Sequence, residues 1–405
     1  MKQLMKDSVT LEESDHLDSR TTLNIGPSHP ATHGVIRFFL ELDSEIIEDC
    51  EVDIGYLHRG FEISGESVPW TQVIPYTDRL NYLSAILNNI GYCKAVEEMC
   101  DIEIPKRAKY LRVIAGELSR ISDHLVNIGT QAVDLGAMTN FWYFFEAREE
   151  IYELIESLCG ARLTNCYTRI GGVAYDLPDG WADKCERFVD DRLPSIIDDV
   201  DHLLTRNRIF MDRTVGVGAI DKDEAISYSY TGPALRACGV PYDIRKVKPY
   251  HCYGEFDFDV PTFENGDVYD RYRVRMEEMR QSISIIKQAL DNLPYGPVKA
   301  DAPKYVLPDK DEVYTKMEAM IRHFKIEMEG IQVPEGKHYS CTEAANGELG
   351  FYIISDGSGI PYRVRCRPPC FPLLSSMEDI TEGSMVSDLI ATLASLNVIA
   401  GELER

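Results

Sequence analysis

The segment 26–34 has the sequence GPSHPATHG, in which His29 and His33 stand four residues apart. Proline and glycine interrupt both helices and strands, so this segment is predicted to be a loop. Imidazole changes charge near neutral pH, and a stiff loop that holds two imidazoles is suited to place a proton donor. Metal binding is the weaker interpretation, because no third ligand follows at a known spacing and His-Glu-x-x-His is absent from the sequence.

A second group of candidate residues lies in the segment 116–137, beside a strong apolar stripe: Glu117, Arg120, Asp123, His124 and Asp134. The simple interpretation is a solvated polar face with ion pairs between residues three apart. Asp134 fits this interpretation less well, because its sequence neighbours are apolar and a buried carboxylate needs a partner.

Arginines mark two further candidate segments. IGYLHRGFE places Arg59 between two glycines, and YRVRCRPPCF alternates Arg363, Arg365 and Arg367. Alternate residues of a strand share one face. The three arginines therefore either bind an anion or pair with carboxylates, and both interpretations stay open. The sequence contains no Gly-x-Gly-x-x-Gly, P-loop or Gly-x-Ser-x-Gly motif.

Composition limits the kinds of partner. The 405 residues include 42 Lys and Arg against 67 Asp and Glu, a net charge of −25, which argues against nucleic acid and against adsorption to an anionic membrane. The 11 cysteines form no Cys-x-x-Cys pair, a usage typical of a reducing compartment. No signal peptide is visible, and no run reaches the about 18 apolar residues of a membrane span. We therefore expect a soluble chain in a cytoplasm-like compartment.

The elements that must position these residues follow from hydrophobic periodicity. We predict a polar tail at 1–20, a β-rich region at 21–75, a helical body at 76–330, and β segments with a closing helix at 331–405. Thr77 is predicted to cap one long helix, and Pro105 to open another with an apolar stripe. The closing helix is predicted over 387–400. The fold class is α+β and mostly helical, with all regions packed on one body.

Several motifs, taken in order, resemble one family. They include GPSHPATHG, IGYLHRGFE, PYTDRLNYLS, ELSRISDHL, DLGA, RIGG, TGPALRACGV and GELGFYIISDG. Together they are similar to the hydrogenase-like, D-type subunit family of respiratory complex I, the proton-pumping NADH:quinone oxidoreductase. The resemblance covers residues 21–405. It implies the fold of a nickel–iron hydrogenase large subunit, with a central helical bundle and β-rich regions near both ends. The two Cys-x-x-Cys pairs that hold the hydrogenase metal are missing, so no metal of that kind is expected.

The resemblance implies a quinone site in place of the metal. Quinone reduction adds two electrons and two protons, and the family uses the second loop histidine and a helix tyrosine as headgroup donors. These are His33 and Tyr82 here, with Asp134 associated with the histidine. Tyr82 enters through the resemblance alone, since a tyrosine near a helix start is usually a core residue. Arg59 corresponds to an arginine that faces an iron–sulfur cluster held by a neighbouring subunit.

The resemblance also implies the setting. No cofactor is expected on this chain, with quinone as substrate. The implied partners are the B-type subunit that holds the iron–sulfur cluster, the C-type subunit, the H-type membrane subunit and other complex I subunits. The implied location is the cytoplasmic face of the cell inner membrane, without a membrane span. Two alternatives stay open: an equivalent subunit of a ferredoxin- or F420-fed relative that reduces quinone or phenazine, and a scaffold subunit without catalytic residues.

One departure from the family motifs yields a prediction about the cluster. Family members often carry a histidine where this chain has Thr164, and that histidine is thought to couple cluster reduction to protonation. We expect the cluster potential to depend less on pH here, because a threonine does not titrate in this range. A redox titration across pH measures this, and a full one-proton slope would contradict it. A second departure is Asn397–Val398 in place of Asp-Pro, which puts any role of that acid in doubt.

Overall fold

The computed structural model describes residues 20–405 and, as backbone only, residues 11–13. The other residues of the predicted polar tail lie outside this part of the chain. Helices predominate and small sheets lie near both ends of the described chain, which confirms the predicted α+β class. The division of the chain into the four predicted regions remains a prediction.

The first sheet is antiparallel and joins β1 (Leu11–Glu13), β2 (Arg20–Ile25), β3 (Arg37–Asp43) and β4 (Ile46–Asp53) in that order. In β3, Phe38, Leu40 and Leu42 are buried and the residues between them are exposed. This alternation is the period of a strand with one face on the core. A two-stranded ladder follows in β5 (Thr168–Arg169) and β6 (Gly172–Val173).

The third sheet is antiparallel as well and lies near the end of the chain. It consists of β7 (Gly336–Ala344), β8 (Gly347–Ser355) and β9 (Arg363–Arg367), in sequence order. Its buried residues Leu349, Phe351 and Ile353 contact the helix Ala85–Cys100, where Tyr92 meets Phe351 edge to face. This sheet therefore shares a core with the helical part of the chain.

Between residues 61 and 159 the chain forms five α-helices, of which the fourth is the longest. They are α1 (Phe61–Gly65), α2 (Ile74–Thr77), α3 (Ala85–Cys100), α4 (Lys106–Asp134) and α5 (Met138–Cys159). Short 3-10 turns lie at Pro30–Thr32, Trp70–Val73 and Tyr82–Ser84. The predicted apolar stripe of α4 is buried throughout and packs against α5 and the helix Val268–Asp291. The helix opened by Pro105 is thereby confirmed.

The remaining helices complete the body. They are α6 (Trp181–Arg187), α7 (Leu193–Leu204), α8 (Arg208–Asp212), α9 (Lys222–Ser227), α10 (Gly232–Ala237), α11 (Ile244–Val247), α12 (Val268–Asp291), α13 (Lys310–Thr315), α14 (Met317–Met328), α15 (Cys370–Ser375), α16 (Met377–Thr381), α17 (Val386–Leu396) and α18 (Ala400–Leu403). A π-helical turn at Phe188–Arg192 joins α6 to α7, and Tyr253–Glu255 is a 3-10 turn.

The prediction that Thr77 caps a long helix is wrong. Thr77 ends the short helix α2, and its hydroxyl donates to the carbonyl of Ile74 at 2.7 Å instead of capping. The long helix α3 begins only at Ala85, after the 3-10 turn. Asn81 begins that turn, because its side-chain oxygen accepts from the backbone N–H of Leu83 at 3.1 Å. The turn places Tyr82 outside regular helix.

Candidate functional site

One pocket of about 630 Å³ brings together the three residues predicted to act on a ligand: His33, Tyr82 and Asp134. The rest of its wall is mainly apolar: Pro30, Leu83, Val126, Thr130, Val133, Met138, Phe141, Trp142, Leu393, Asn397, Val398 and Ile399. A concave apolar cavity of this size with a few polar groups is typical of a small-molecule site.

Most of the polar side chains in the pocket lie at the ends of elements. His33 follows a 3-10 turn, Tyr82 begins another, and Asp134 is the last residue of α4. Met138 begins α5, and residues 397–399 follow the end of α17. Loops and element ends carry many binding sites because a rigid scaffold holds them in place.

The loop 26–34 is stiffened by its own contacts. His29 begins the turn, and its Nδ1 accepts from the backbone N–H of Ala31 at 3.2 Å. A Cβ on Gly26, whose φ is +96°, would lie 2.3 Å from the carbonyl oxygen of Ile36. Only glycine fits such a position. His29 therefore supports the loop, and His33, with φ +52°, ends the turn and reaches the pocket.

His33 and Asp134 form a direct pair across 101 residues of sequence. Nε2 of His33 lies 2.5 Å from Oδ2 of Asp134, and both side chains are about one-fifth exposed. A carboxylate oxygen at this distance shares a hydrogen bond with the ring nitrogen and orients the imidazole. The pair can thus hold a proton at the edge of the pocket.

Tyr82 is half-buried beside charged groups of both signs. Burial raises the pKa of its hydroxyl, the negative charge of Asp123 adds to the rise, and the nearby Arg59 guanidinium opposes it. A phenol with a raised pKa stays protonated at neutral pH and acts as a hydrogen-bond donor. The Tyr82 hydroxyl is therefore a second donor at the pocket.

Asp123 links two parts of the pocket wall, the turn that carries Tyr82 and the segment at Asn397. Its Oδ2 accepts from Asn81 Nδ2 at 2.7 Å and from Ser84 Oγ at 2.8 Å, on either side of Tyr82. Its Oδ1 accepts from Asn397 Nδ2 at 2.7 Å. Asp123 is completely buried, so these three donors take the place of water.

The departure at Asn397 has a physical reason in these contacts. Asn397 has φ +55°, a conformation that asparagine tolerates, and it ends α17 at Leu396 rather than at residue 400 as predicted. Its amide also donates to Asn346 Oδ1 at 2.6 Å. An aspartate here would set two carboxylates at hydrogen-bond distance, so the amide removes a like-charge repulsion.

The interpretation of α4 as carrying a solvated polar face is wrong. Glu117, Arg120, Asp123 and His124 are all completely buried. They belong to, or adjoin, a buried ion network that we define as Glu117, Arg120, Arg236, Asp243, Arg245, Glu278 and Glu343. His124 Nε2 joins the network at 2.9 Å from Glu278 Oε2. Periodicity reveals the apolar stripe but not a second face that other elements also cover.

Arg59 lies outside the pocket, behind Tyr82. Its Nη2 donates to the carbonyls of Arg79 at 2.7 Å and Gly401 at 2.9 Å. Partial burial lowers its pKa, and the positive charge of Arg79 adds to the fall. Arg79 also lines a larger cavity of about 1030 Å³, together with Arg169 of the RIGG motif. That cavity contains none of His33, Tyr82 or Asp134.

The alternating arginines of β9 have different surroundings. Arg363 pairs with Glu66 at 3.4 Å, whereas Arg367 donates to the carbonyls of Glu348 at 2.7 Å and Ser229 at 3.0 Å. Arg365 and Arg367 line a small cavity of about 320 Å³. One arginine thus pairs with a carboxylate, and the anion interpretation stays open for the others.

Sequence reasoning missed most of the apolar wall. Met138, Phe141 and Trp142 were not singled out, although Met138 and Trp142 are more than half exposed. Large apolar side chains left exposed beside a pocket mark a binding surface. The aromatic run FWYFF, which follows the DLGA motif after three intervening residues, is the signal that could have found them.

No cluster of three or more His, Cys, Asp or Glu side chains within residues 20–405 is arranged to hold a metal ion. Likewise, none of the helices described above has the length and hydropathy needed to cross a membrane.

The fold and the site define a class: a mostly helical α+β protein with a mainly apolar pocket lined by a histidine, a tyrosine and an aspartate. Residues 134–405 match the family described as respiratory-chain NADH dehydrogenase, 49 Kd subunit. The chain is 54% identical over 384 residues to the D 2 subunit of NADH-quinone oxidoreductase from Anaeromyxobacter sp. (strain Fw109-5), covering 95% of this chain and 89% of that protein. The chain therefore belongs to the family of the 49 Kd subunit of respiratory-chain NADH dehydrogenase.

Two other relatives agree over nearly the whole chain. The D subunit of NADH-quinone oxidoreductase from Myxococcus xanthus (strain DK1622) is 52% identical over 391 residues, 96% of this chain and 94% of that protein. The C/D subunit of NADH-quinone oxidoreductase from Bdellovibrio bacteriovorus is 52% identical over 388 residues, 96% of this chain and 69% of that protein. The resemblance drawn from the motifs is thus confirmed.

Proposed function

We propose that this chain forms much of the quinone headgroup site of NADH-quinone oxidoreductase and supplies protons to the bound quinone. The observation that carries the proposal is the pocket where His33, Tyr82 and Asp134 meet. Quinone reduction adds protons at two carbonyl oxygens, and two donors in a mainly apolar cavity suit this reaction. Asp134 orients His33 through their hydrogen bond.

Electrons reach the quinone from an iron–sulfur cluster of a partner subunit in this proposal. Arg59 and Arg79 are neighbours behind Tyr82, and Arg79 and Arg169 line the larger cavity. Cations beside a cluster favour its reduced, more negative state. We therefore assign this arginine-rich side to the B-type subunit that holds the cluster.

The assembly around the chain belongs to the same proposal. The relative named as a C/D subunit extends well beyond the length that this chain covers, which supports the C-type subunit as a neighbour. We propose that the H-type membrane subunit anchors the chain at the cytoplasmic face of the membrane, near the exposed Met138 and Trp142. Proton translocation by the whole complex, and NADH rather than another donor as its source of electrons, are part of this proposal.

A paired assay on membranes that carry Tyr82→Phe tests the proposal. We expect quinone reduction by NADH to fall about 10²-fold, because the substitution removes only the donor hydroxyl. Transfer to an artificial acceptor that takes electrons upstream of the quinone should hold. Tyr295→Phe, at a fully exposed side chain that lines neither the pocket nor the larger cavity, is the matched control.

The other outcomes favour other functions. If both activities fall with Tyr82→Phe, the substitution has disturbed assembly and the scaffold alternative gains support. If neither falls, Tyr82 is not a headgroup donor and the assignment of this pocket is wrong.

A further inference from the structure

We propose that Glu402 is a neutral carboxylic acid in the resting protein and replaces the proton that Tyr82 gives to the quinone. This inference rests on the proposed function and extends it to a residue outside the pocket wall. Glu402 lies in α18, one of the last elements of the described chain. It is a buried acid that the chemistry assigned to His33, Tyr82 and Asp134 does not use.

The helix α18 packs directly on the segment that leads to Tyr82. A Cβ on Gly401 would lie 2.9 Å from the carbonyl oxygen of Leu80 and 3.0 Å from that of Arg79. Such close backbone contact is possible only because Gly401 has no side chain. Arg59 joins both sides, because it donates to the carbonyls of Arg79 and Gly401. The residue before Glu402 thus contacts the backbone that leads into Tyr82.

The surroundings of Glu402 favour its neutral form. Its side chain is 1% exposed, and its Oε2 lies 3.0 Å from the thiol of Cys370. Its Oε1 has no hydrogen-bond partner, and Glu402 has no ion pair among the residues from 20 to 405. The carboxylate form would be buried with one oxygen unpartnered and no cation of the described chain at ion-pair distance, which is costly, so the proton stays on.

The charged groups around Glu402 come from several elements. Cys370 begins α15, Asp123 lies on α4, and Arg367 and the thiol Cys366 lie on β9. Burial raises the pKa of Glu402 to about 7; Asp123 adds to the rise, whereas the Cys370 hydrogen bond and the Arg367 charge oppose it. Asp123 and Cys370 also raise the pKa of Tyr82. The two acids therefore share their electrostatic surroundings.

The proton balance of the step is simple. Tyr82 gives its hydroxyl proton to a quinone oxygen and becomes a phenolate, while the two electrons come from the partner's cluster. The carboxyl O–H bond of Glu402 then breaks, a proton restores the phenol, and a carboxylate remains. This direction is favourable because Glu402, with a pKa of about 7, is a stronger acid than a phenol whose pKa is raised above 10. A proton from solvent resets Glu402.

Glu402→Gln in the assembled complex tests the inference, because an amide has the shape of the neutral acid but carries no transferable proton. We expect normal assembly, a normal upstream rate and about tenfold slower quinone reduction. A carboxylic-acid C=O band in the infrared difference spectrum of quinone reduction should also disappear. Glu382→Gln, at an exposed glutamate, is the control. Normal quinone reduction, or a failure of Glu402→Gln to assemble, would overturn the proposal.

Cys370→Ser supplies a second readout that a purely structural role would not move. The working form of Glu402 is protonated, so quinone reduction falls as pH rises through its pKa of about 7. A serine hydroxyl is a stronger donor to the carboxylate than a thiol and lowers that pKa. In Cys370→Ser, we expect the quinone-reduction rate to fall at a lower pH than in the native chain. In Glu402→Gln, we expect no such fall. A pH profile of Cys370→Ser that matches the native one contradicts the inference.

The Tyr82→Phe assay separates the two levels of the proposal. If Tyr82→Phe leaves quinone reduction unchanged, the proposed function itself fails. If Tyr82→Phe slows it but Glu402→Gln does not, only the role of Glu402 fails.

Discussion

Glu117→Ala is expected to lower the free energy of unfolding by about 4 kcal/mol, because removing one partner of a buried ion pair leaves the others unpaired. Glu117 accepts from Arg120 Nε at 3.2 Å, from Arg245 Nη1 at 3.1 Å, and from the hydroxyls of Tyr253 and Ser282 at 2.6 Å. Both arginines are buried. Urea unfolding of the chain followed by circular dichroism measures the change.

The stability lost in Glu117→Ala should be smaller at acid pH than at neutral pH. Burial raises the pKa of Glu117, but the charges of Arg120 and Arg245 outweigh it and lower the pKa to about 2. An unfolded glutamate has a pKa of about 4.3. The ionised form therefore stabilises the fold above that value, and its contribution is lost as pH falls towards 2. The difference in the free energy of unfolding between the native chain and Glu117→Ala should therefore become smaller as pH falls over this range.

Glu149→Ala is the matched control for this prediction. Glu149 pairs with Arg162 at 2.7 Å, but both side chains are about half exposed. Exposed ion pairs contribute little to stability, so the unfolding midpoint should hardly move. Equal losses from the buried and the exposed glutamate would show that the buried ion network has no special role.

Asp123→Ala is expected to lower the free energy of unfolding by about 3–9 kcal/mol, because three buried donors lose their acceptor at about 1–3 kcal/mol each. Those donors are Asn81, Ser84 and Asn397, so both the turn that holds Tyr82 and the opposite wall of the pocket lose their support. We expect less assembled complex and, in the remainder, quinone reduction that has largely been lost. Immunoblots of the membranes and the paired quinone assay measure both quantities.

Asp212→Ala controls for the loss of a carboxylate, because Asp212 is 69% exposed and pairs with the exposed Arg208. The amount of complex and the quinone rate of Asp123→Asn should lie between those of the native chain and Asp123→Ala, since the amide keeps one acceptor oxygen. Normal amounts of complex with a normal quinone rate in Asp123→Ala would refute the role of Asp123 as the support of the pocket.

The sequence predicts α4 well and its environment poorly. The apolar stripe from Leu111 to Ile128 is a local pattern, and the structure confirms the helix. The burial of Glu117 and Arg120 depends on Arg245 and on the backbone of β7, far along the chain. No local pattern contains such contacts, so the polar face was interpreted as solvated.

The pocket shows the same limit. The histidine loop and Asp134 stand out by composition, but their pairing joins residues 101 positions apart. Tyr82 looks like a core tyrosine, and only the resemblance to a family singled it out. The 3-10 turn that exposes it follows from the Asn81 cap and from Asp123, which no spacing in the sequence reveals.

Because most polar side chains of the pocket lie at element ends, they can change in evolution separately from the packed core. The loop before β3, the turn before α3 and the segment after α17 can each change without altering the packed middle of any helix. A lineage can therefore exchange one ligand chemistry for another by substituting a few terminal residues on an inherited framework. Asn397 and Val398, at the two positions where the resemblance implies Asp-Pro, fit this pattern.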